Sequence, residues 1–330
     1  MKAIAFDSTG EPEKVLQVVE KEKPFPGADE VLVKVLASPI NPADISFIRG
    51  TYRFQPSFPG EIAGFEGAGI VESAGKNTGI DKGALVSFFF KKAWAEYAIV
   101  PVSELTVFPR DFPVEKAAQF SLNPFTAWGL LEEAQPAPGE WMLLTGANST
   151  VSRIVVQLAR PKGVRIIALV RDLTQAPELH ALGAEQVFNI EDPQLSDHIR
   201  QLTDGKGFNV AMDPIGGAIG TKIFENIAPF GRFILYGSVK KEPAQYFNAQ
   251  LVYKNLTVKG FGIRAFLTRQ TKAQRDMMTR DLIEAIGKPD FQLPVAQTCT
   301  FDRYKEALKA DSLSSRPGKV LLAPSPANSK

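Results

Sequence analysis

The stretch from Trp141 to Asp172 places a short polar turn between apolar runs and ends in an arginine beside an aspartate. This order is typical of a strand, a tight turn, an apolar-faced helix and a second strand. Such a turn aims the free backbone N–H groups at the helix start toward an anion, above all a pyrophosphate. The stretch therefore predicts half of a dinucleotide-binding crevice, and a nicotinamide coenzyme is the first hypothesis.

The turn departs from the usual Gly-x-Gly-x-x-Gly fingerprint, because the corresponding positions are Ala147, Ser149 and Ser152. Ala147 is small, and Ser149 offers both an amide and a hydroxyl to a phosphate. Ser152 is the smallest polar substitute where helix and strand must approach. The alternative is an ordinary strand-to-helix turn that binds nothing, which would make the whole order of elements a coincidence.

The tip of the second predicted strand distinguishes the two nicotinamide coenzymes. Val170 ends the strand and Arg171 follows, and a guanidinium there can pair with a 2′-phosphate, which favours NADPH. Asp172 is next to it and offers the alternative, a carboxylate that holds the ribose hydroxyls of NADH. A solvated strand end is the third interpretation of Arg171.

The texture of the chain changes near residue 122. Up to that point, short alternating or apolar runs separated by Pro and Gly clusters predict a β-rich fold. From Asn123, apolar strands alternate with helical patterns, which indicates parallel βαβ units. After about Ala265 the chain becomes polar and helical, then predicts a short strand near Gln297, another helix and a closing strand. Residues 325–330 are typical of a frayed tail.

Composition limits the partners. A length of 330 residues favours two domains, and 38 Lys+Arg against 36 Asp+Glu give no reason to expect nucleic acid or a membrane surface as a partner. Cys299 is the single cysteine, which excludes an internal disulfide and favours a reducing compartment. No apolar run reaches the roughly 20 residues of a membrane span, and no targeting signal is visible. We expect a cytoplasmic protein that binds small molecules.

Several local strings together carry a resemblance to a known family. They are INPADISFIRGTY (40–52), GFEGAG (64–69), NPFTAW (123–128), ANSTV (147–151), LVRD (169–172) and LYGS (235–238). With the order of textures, the chain resembles the zinc-free branch of the medium-chain dehydrogenase/reductase superfamily, and within it the NADPH-dependent 2-enoyl thioester reductases. The resemblance implies an α/β fold, with a GroES-like β-rich catalytic domain (1–121 and 265–330) and a doubly wound Rossmann NADPH-binding domain (122–264).

Zinc-dependent members of the superfamily use a Cys, a His within Gly-His-Glu and a further thiolate or carboxylate. Here Asn41 stands at the first position and Gly64-Phe65-Glu66 at the second. Cys299, His180 and His198 are too few to replace those ligands. We therefore expect no metal site. Glu66, in an apolar glycine-rich setting, is interpreted as a buried structural carboxylate in preference to a catalytic base.

The resemblance also implies roles for individual residues. Tyr52 would lie near the reacting carbons, as a proton donor or as a hydroxyl that positions the substrate. The implied coenzyme-binding residues are Asn123 and Thr126 at the nicotinamide ribose, Asn148, Ser149, Thr150 and Val151 at the pyrophosphate, Arg171 at the 2′-phosphate, and Tyr236, Gly237, Ser238, Val239, Phe261, Gly262, Ile263, Arg264 and Lys319 at the nicotinamide end.

Two departures from the family pattern affect packing and specificity. Ser152 replaces the glycine that usually follows Val in the family's turn, and Gly262 stands where related reductases often hold a tryptophan against the substrate. The second departure leaves acyl-chain specificity open.

The sequence leaves open which residues form the substrate cavity and which residues bind the carrier of the acyl group. An apolar substrate cavity built by Phe54, Phe58, Phe65 and the 88–90 run competes with a purely structural role for these rings. Cations are expected either to meet the phosphates of coenzyme A or an acyl carrier protein or to form a solvated face; the candidates are Lys91 and Lys92, or Arg269, Lys272 and Arg275.

The predicted function is reduction of an α,β-unsaturated carbonyl at its β-carbon, with an enoyl thioester on coenzyme A or an acyl carrier as substrate. Quinone oxidoreductases are the nearest alternative, and a non-catalytic NADPH-binding sensor or scaffold is an alternative of another class. We also expect a homodimer through the apolar edge at residues 256–263.

Overall fold

The computed structural model describes residues 1–313 and 316–324, and the predicted frayed tail lies outside them. The chain divides into two compact units. The first comprises Met1–Leu122 with the chain from Ile286 onward, and the second is Asn123–Ala285. No helix in the described ranges is both long and apolar enough to cross a membrane.

The N-terminal part of the first unit is mostly β-strand. Its strands are β1 (Lys2–Phe6), β2 (Gln17–Glu20), β3 (Glu30–Pro39), β4 (Glu61–Ile62), β5 (Glu66–Ala74), β6 (Leu85–Phe89), β7 (Tyr97–Pro101) and β8 (Leu105–Val107). Three short helices accompany them: α1 (Pro12–Val15), α2 (Pro42–Ile48) and α3 (Val114–Ala118).

The second unit alternates helices with strands. The strands are β9 (Trp141–Leu144), β10 (Arg165–Val170), β11 (Gln186–Asn189), β12 (Phe208–Asp213), β13 (Ile227–Leu235) and β14 (Thr257–Gly260). The helices are α4 (Asn123–Ala134), α5 (Thr150–Ala159), α6 (Ala176–Leu182), α7 (Leu195–Leu202), α8 (Gly217–Phe224), α9 (Asn248–Tyr253), α10 (Ile263–Arg269) and α11 (Lys272–Gly287). The chain then closes the first unit with β15 (Val295–Thr300), α12 (Tyr304–Ser312) and β16 (Lys319–Ala323).

The second unit is built on a parallel sheet in the order β11-β10-β9-β12-β13-β14. The order reverses between β9 and β12, which is the topological switch point of a doubly wound fold. Strand β10 is a near-continuous apolar run, buried from Ile166 to Val170, because helices cover both faces of such a sheet. The predicted α/β fold class with a parallel Rossmann sheet is confirmed.

The first unit carries a small sheet in the order β2-β1-β4 and a larger one in the order β15-β16-β3-β5-β6-β8, in which β7 also pairs with β3. Its pairings are antiparallel apart from β15 with β16. Fully buried aromatic side chains, including Phe6, Phe47, Phe88, Trp94 and Phe301, fill its core. Phe301 follows β15, so the C-terminal segment contributes to the same core.

One predicted boundary needs correction. Residues 265–285 were expected in the β-rich domain, but they group with the second unit. The reason is Phe266 on α10, which is 3% exposed and lies 5.7 Å from Phe261, centroid to centroid. Gly129 on α4 leaves the space for both rings, since a Cβ there would lie 2.7 Å from Phe261 and 3.0 Å from Phe266.

Candidate active site

The turn between β9 and α5 is tightly folded. Gly146 has φ +55°, a left-handed conformation that favours glycine. Its carbonyl accepts a hydrogen bond from the N–H of Ser149 at 2.9 Å, and the N–H of Ala147 donates to the carbonyl of Leu169 at 3.1 Å. Ala147 is fully buried, so its small side chain is needed where the turn passes over β10.

Ser149 caps the start of α5. Its Oγ accepts a hydrogen bond from the N–H of Ser152 at 3.2 Å, and its carbonyl accepts from Arg153 at 3.0 Å. The N–H groups of Thr150 and Val151 have no acceptor within the helix, because the first turn of every helix leaves such donors. Together with the positive end of the helix dipole, such donors at the carboxyl edge of β9 are suited to an anion.

Ser152 connects α5 to the segment after β13. Its side chain is buried, and its Oγ lies 3.1 Å from the hydroxyl of Tyr236. Burial raises the pKa of Tyr236 to about 12, against the opposing effect of the Ser152 and Ser149 hydroxyls. Tyr236 therefore stays protonated near neutral pH, and its hydroxyl links the segment after β13 to α5 through Ser152.

The two strands at the switch point are joined by a buried hydrogen bond. Thr145, just after β9, donates from Oγ1 to Oδ1 of Asp213, the last residue of β12, at 2.5 Å. The Asp213 carboxylate also accepts from the N–H groups of Ile215 at 2.8 Å and Gly216 at 3.1 Å. This pair was not predicted, although an acidic residue that ends an apolar strand is the signal for it.

Gly237 allows the segment after β13 to approach the segment after β12. A Cβ at this position would lie 2.5 Å from the carbonyl oxygen of Pro214 and 2.9 Å from its Cα. Only glycine fits against backbone at that distance. The backbone of residues 236–237 thus lies beside the switch point, where a dinucleotide is bound in folds of this kind.

Arg171 lies just beyond the tip of β10. It is exposed, and within the described ranges no side chain pairs with its guanidinium. Asp172 is used locally: its Oδ1 accepts a hydrogen bond from the N–H of Thr174 at 2.9 Å, which lowers the pKa of that carboxyl. The contrast favours Arg171 as the group that is available to a ligand.

The remaining predicted coenzyme residues lie at ends of elements in the second unit. Asn123 begins α4 and is 7% exposed, and its Nδ2 has no hydrogen-bond partner among the described residues. A buried amide donor without an acceptor is costly unless a ligand supplies one. The others lie in α4 (Thr126), before α5 (Asn148), after β13 (Ser238 and Val239), after β14 (Phe261 and Gly262) and at the start of α10 (Ile263 and Arg264).

Tyr52 belongs to the first unit and follows α2, where its N–H donates to the carbonyl of Ser46 at 3.1 Å. Its ring lies 5.0 Å from that of Phe54 and 5.5 Å from that of Phe65. Its hydroxyl makes no hydrogen bond with any described residue. The ring is thus held by packing, while the reactive group is available to a ligand.

Four buried polar side chains form a network behind α2. Lys319 donates from Nζ to the carbonyl of Ile40 at 2.8 Å and to Oδ1 of Asn41 at 2.6 Å. Asn41 donates from Nδ2 to Oε2 of Glu66 at 2.8 Å, and Oε1 of Glu66 accepts from the N–H of Leu122 at 2.9 Å. Asp44 accepts from the N–H groups of Asn41 and Phe65.

The cost of burial is visible in the acid–base properties of this network. Burial raises the pKa of both Asp44 and Glu66 to about 7, although hydrogen bonds and the Lys319 charge oppose the rise. Burial lowers the pKa of Lys319, and Asp311 and Glu66 oppose that change. The network is therefore held in place by complete hydrogen bonding rather than by solvation.

Comparisons with known proteins agree with this geometry. Residues 27–110 match the family described as alcohol dehydrogenase GroES-like domain, and residues 150–280 match the family described as zinc-binding dehydrogenase. The mitochondrial enoyl-[acyl-carrier-protein] reductase of Arabidopsis thaliana is 31% identical over 292 residues, covering 84% of this chain and 76% of the relative. The human protein of that name is 29% identical over 321 residues, covering 94% of this chain and 85% of the relative.

Solved structures extend the likeness to the whole fold. Escherichia coli quinone oxidoreductase complexed with NADPH is 25% identical with a TM-score of 0.89, and covers 98% of this chain and 100% of its own. The quinone oxidoreductase of Pseudomonas syringae pv. Tomato DC3000 is 26% identical with a TM-score of 0.85, covering 98% and 99%. This chain belongs to the medium-chain dehydrogenase/reductase superfamily. It is an oxidoreductase of the zinc-free branch.

One matching family is named for zinc, but the side chains of this superfamily member do not fit a zinc site. Asn41 and Phe65 stand where zinc-dependent members hold Cys and His, and the ammonium of Lys319 is hydrogen-bonded to Asn41. In the described ranges, no group of three or more His, Cys, Asp or Glu side chains is placed to hold a metal ion. The ammonium of Lys319 and the amide of Asn41 donate, and the carboxylate of Glu66 accepts, in an internal hydrogen-bond network.

The structure thus groups most of the predicted site of this superfamily member on the second unit. The predicted coenzyme residues from Asn123 to Arg264 belong to that unit, whereas Tyr52 and Lys319 belong to the first. Lys319 is 3% exposed, and its ammonium serves Ile40 and Asn41. Its predicted role at the nicotinamide end stays a prediction.

Replacement of Glu66 tests the buried network. The ordinary pKa of this carboxyl is 4.5 and the folded one is about 7, so between these values the folded chain holds a proton that the unfolded chain has released. The free energy of unfolding of the wild type should therefore fall relative to Glu66→Gln as the pH rises from 4.5 to 7, by at most about 1.4 kcal/mol per pH unit. Urea denaturation at several pH values measures the difference.

Asp44 is present in both proteins, and the Glu66 charge contributes to its raised pKa, so loss of that charge in Glu66→Gln weakens the Asp44 effect in the variant and leaves the sign of the expected difference unchanged. Glu13→Gln, at an exposed position of α1 outside the network, is the control for the substitution itself. The assignment would be contradicted if the free energy of unfolding of the wild type, minus that of Glu66→Gln, stayed constant or rose between pH 4.5 and 7.

Proposed function

We propose that this oxidoreductase uses NADPH to reduce the β-carbon of an α,β-unsaturated carbonyl, and that a 2-enoyl thioester is its acceptor. The observation that carries the coenzyme is the capped α5 start together with Arg171, which has no partner among the described side chains, on a sheet of doubly wound order. The names of the enoyl reductase relatives support the thioester.

The residues present fit NADPH. The N–H groups of Thr150 and Val151, with Asn148 and Ser149, would hold the pyrophosphate, and Arg171 would pair with the 2′-phosphate. Asn123 offers a buried amide donor for the ribose. The Escherichia coli neighbour is complexed with NADPH, which supports this assignment. Thr126, Lys319 and the segments 236–239 and 261–264 complete the proposed set.

When bound, NADPH supplies the hydride for the β-carbon. Reduction also develops negative charge on the carbonyl oxygen and requires a proton at the α-carbon. We assign the proton or the substrate-positioning hydrogen bond to Tyr52, because its ring is fixed by Phe54 and Phe65 while its hydroxyl has no partner among the described residues.

Reduction of quinones is the second candidate, supported by the names of the structural neighbours. A quinone takes up hydride at oxygen or at a ring carbon and does not need a proton at a defined α-carbon. The two candidates therefore differ in how much they depend on Tyr52. An NADPH-binding protein without turnover would be recognised by coenzyme binding with no oxidation in the presence of enals, enones, quinones or enoyl thioesters.

Tyr52→Phe distinguishes the candidates. We expect kcat for crotonyl thioester reduction to fall by about 10²-fold, since loss of a positioned proton donor commonly costs that much, while quinone reduction and the Kd for NADPH are retained. NADPH oxidation followed by absorbance measures both reactions. Tyr97→Phe on β7 is the matched control. An unchanged kcat for the thioester would remove Tyr52 from the reaction.

Arg171→Gln and Asp172→Asn form a matched pair for coenzyme choice. Loss of a charge-assisted hydrogen bond to the 2′-phosphate should raise the Kd for NADPH by at least about tenfold and leave the Kd for NADH unchanged. Asp172→Asn should affect neither, because that carboxylate caps Thr174. Calorimetric titration gives the four constants. Weaker NADH binding by Asp172→Asn, with NADPH unaffected by Arg171→Gln, would reverse the assignment.

We propose that two copies associate through the edge of the Rossmann sheet. Among the described strands, β14 pairs with β13 on one side only, and exposed Phe230, Val252 and Tyr253 lie on neighbouring segments, with Phe230 donating its N–H to the carbonyl of Lys254. Light scattering at micromolar concentration should give twice 36.0 kDa for the wild type and a lower mass for Tyr253→Glu. A monomeric wild type would contradict the proposal.

A further inference from the structure

The aromatic rings around Tyr52 carry two cations. The guanidinium carbon of Arg53 lies 5.7 Å from the centroid of the Tyr52 ring and 5.5 Å from that of Phe54. The Nζ of Lys91 lies 5.0 Å from the centroid of Phe54. Rings at these distances attract a cation and limit its freedom, so both charges are held against the Phe54 ring, which itself packs on Tyr52, before any ligand arrives.

The charges of these two cations are not neutralised by neighbouring side chains of the described residues. Within the described ranges, neither Arg53 nor Lys91 has a carboxylate at ion-pair distance, and the next residue, Lys92, is also exposed and unpaired. Other basic residues of the same unit are paired, such as Arg49 with Glu11 at 2.7 Å. Uncompensated positive charge held on aromatic rings attracts an anion.

Two of the three cations considered on α10 and α11 are already partnered, and the third, Arg275, is not held against an aromatic ring of the described residues. Arg269 pairs with Glu133 at 2.8 Å, and Lys272 pairs with Asp276 at 2.6 Å. Carboxylates on α4 and α11 therefore compensate the charges of Arg269 and Lys272. Arg53 and Lys91 are therefore the better candidates to bind an anionic group of the substrate.

We propose that Arg53 and Lys91 form a subsite for a phosphate of the thioester carrier, which fixes the acyl group beside Tyr52. The inference rests on the proposed function and narrows its substrate to thioesters of a phosphorylated pantetheine, as in coenzyme A or the prosthetic arm of a carrier protein. The phosphate binds the two cations, and the apolar part of the arm packs on Phe54. Arg53 was not identified from the sequence, and the geometry adds it to Lys91.

Three crotonyl thioesters separate charge from shape: those of pantetheine, 4′-phosphopantetheine and coenzyme A. The wild type should show a lower KM for the two phosphorylated thioesters than for the uncharged one. Each cation removed, in Arg53→Gln or Lys91→Gln, should raise the KM of the phosphorylated thioesters about fivefold, and the double variant about tenfold or more. kcat and the KM for the pantetheine thioester should stay constant. Lys76→Gln, an exposed lysine beyond the other end of β5, is the control.

A binding measurement keeps the inference separate from turnover. The protein is first saturated with NADP⁺, so that coenzyme A cannot occupy the dinucleotide site, and then titrated calorimetrically with coenzyme A. The Kd should rise about tenfold in the double variant and remain unchanged in Lys76→Gln. A second titration uses 4′-phosphopantetheine. If the double variant binds both compounds more weakly than the wild type, the two cations bind the phosphate of the arm. If only the binding of coenzyme A is weakened, they bind its nucleotide phosphates, which overturns the assignment to the arm.

The outcomes are distinct. An equal rise in KM for charged and uncharged thioesters, or no binding of coenzyme A by the wild type, overturns the subsite. Binding of coenzyme A that depends on Arg53 and Lys91, without reduction of any thioester, supports the subsite and overturns the proposed reaction. Reduction of all three thioesters with identical KM supports the reaction and overturns the subsite.

Discussion

The hydrogen bond between Thr145 and Asp213 joins the two strands at which the order of the parallel sheet reverses. Helices follow neighbouring strands onto opposite faces at such a point, so backbone at the carboxyl edge is left without covering structure. Asp213 resolves part of this problem by accepting the N–H groups of Ile215 and Gly216. The N–H groups of Thr150 and Val151 at the start of α5 receive no such acceptor within the helix, and this difference is the basis of the anion site that we propose at this edge.

The first unit meets the opposite constraint, because its polar groups are sealed from water. Zinc-dependent relatives of this superfamily use side chains at the positions of Asn41 and Phe65 as metal ligands. Here the ammonium of Lys319 supplies the positive charge. The amide of Asn41 accepts a hydrogen bond from it and donates one to Glu66, and so links the two charged groups. Removal of any one partner would leave a buried charge or dipole uncompensated, which is far more costly than loss of a surface ion pair. The network ties β16, α2 and β5 to Leu122, the last residue before the second unit.

The sequence predicted what depends on local pattern. The apolar run 165–170 indicated a buried parallel strand, and the turn at Ala147 to Ser152 indicated a strand-to-helix junction, and both are present. The domain return at residue 265 was wrong because it depends on the packing of Phe266 against Phe261 and Gly129, and the polar helix pattern carries no trace of that contact. The pairs Thr145–Asp213 and Asn41–Lys319 join residues 68 and 278 positions apart, so only the folded chain brings them together.

The hydroxyl groups of three tyrosines differ in whether the protein itself already uses them. Tyr236 shares its hydroxyl with Ser152, and burial raises its pKa to about 12. Tyr304 donates to the carbonyl of Leu16 at 2.6 Å, and burial raises its pKa as well. Both hydroxyls are already used in packing α5 and α12. Tyr52 packs its ring equally closely, against Phe54 and Phe65, but its hydroxyl has no acceptor among the described residues. A proton donor has to meet its substrate in that state, because a donor already bound to the protein would first have to break that bond.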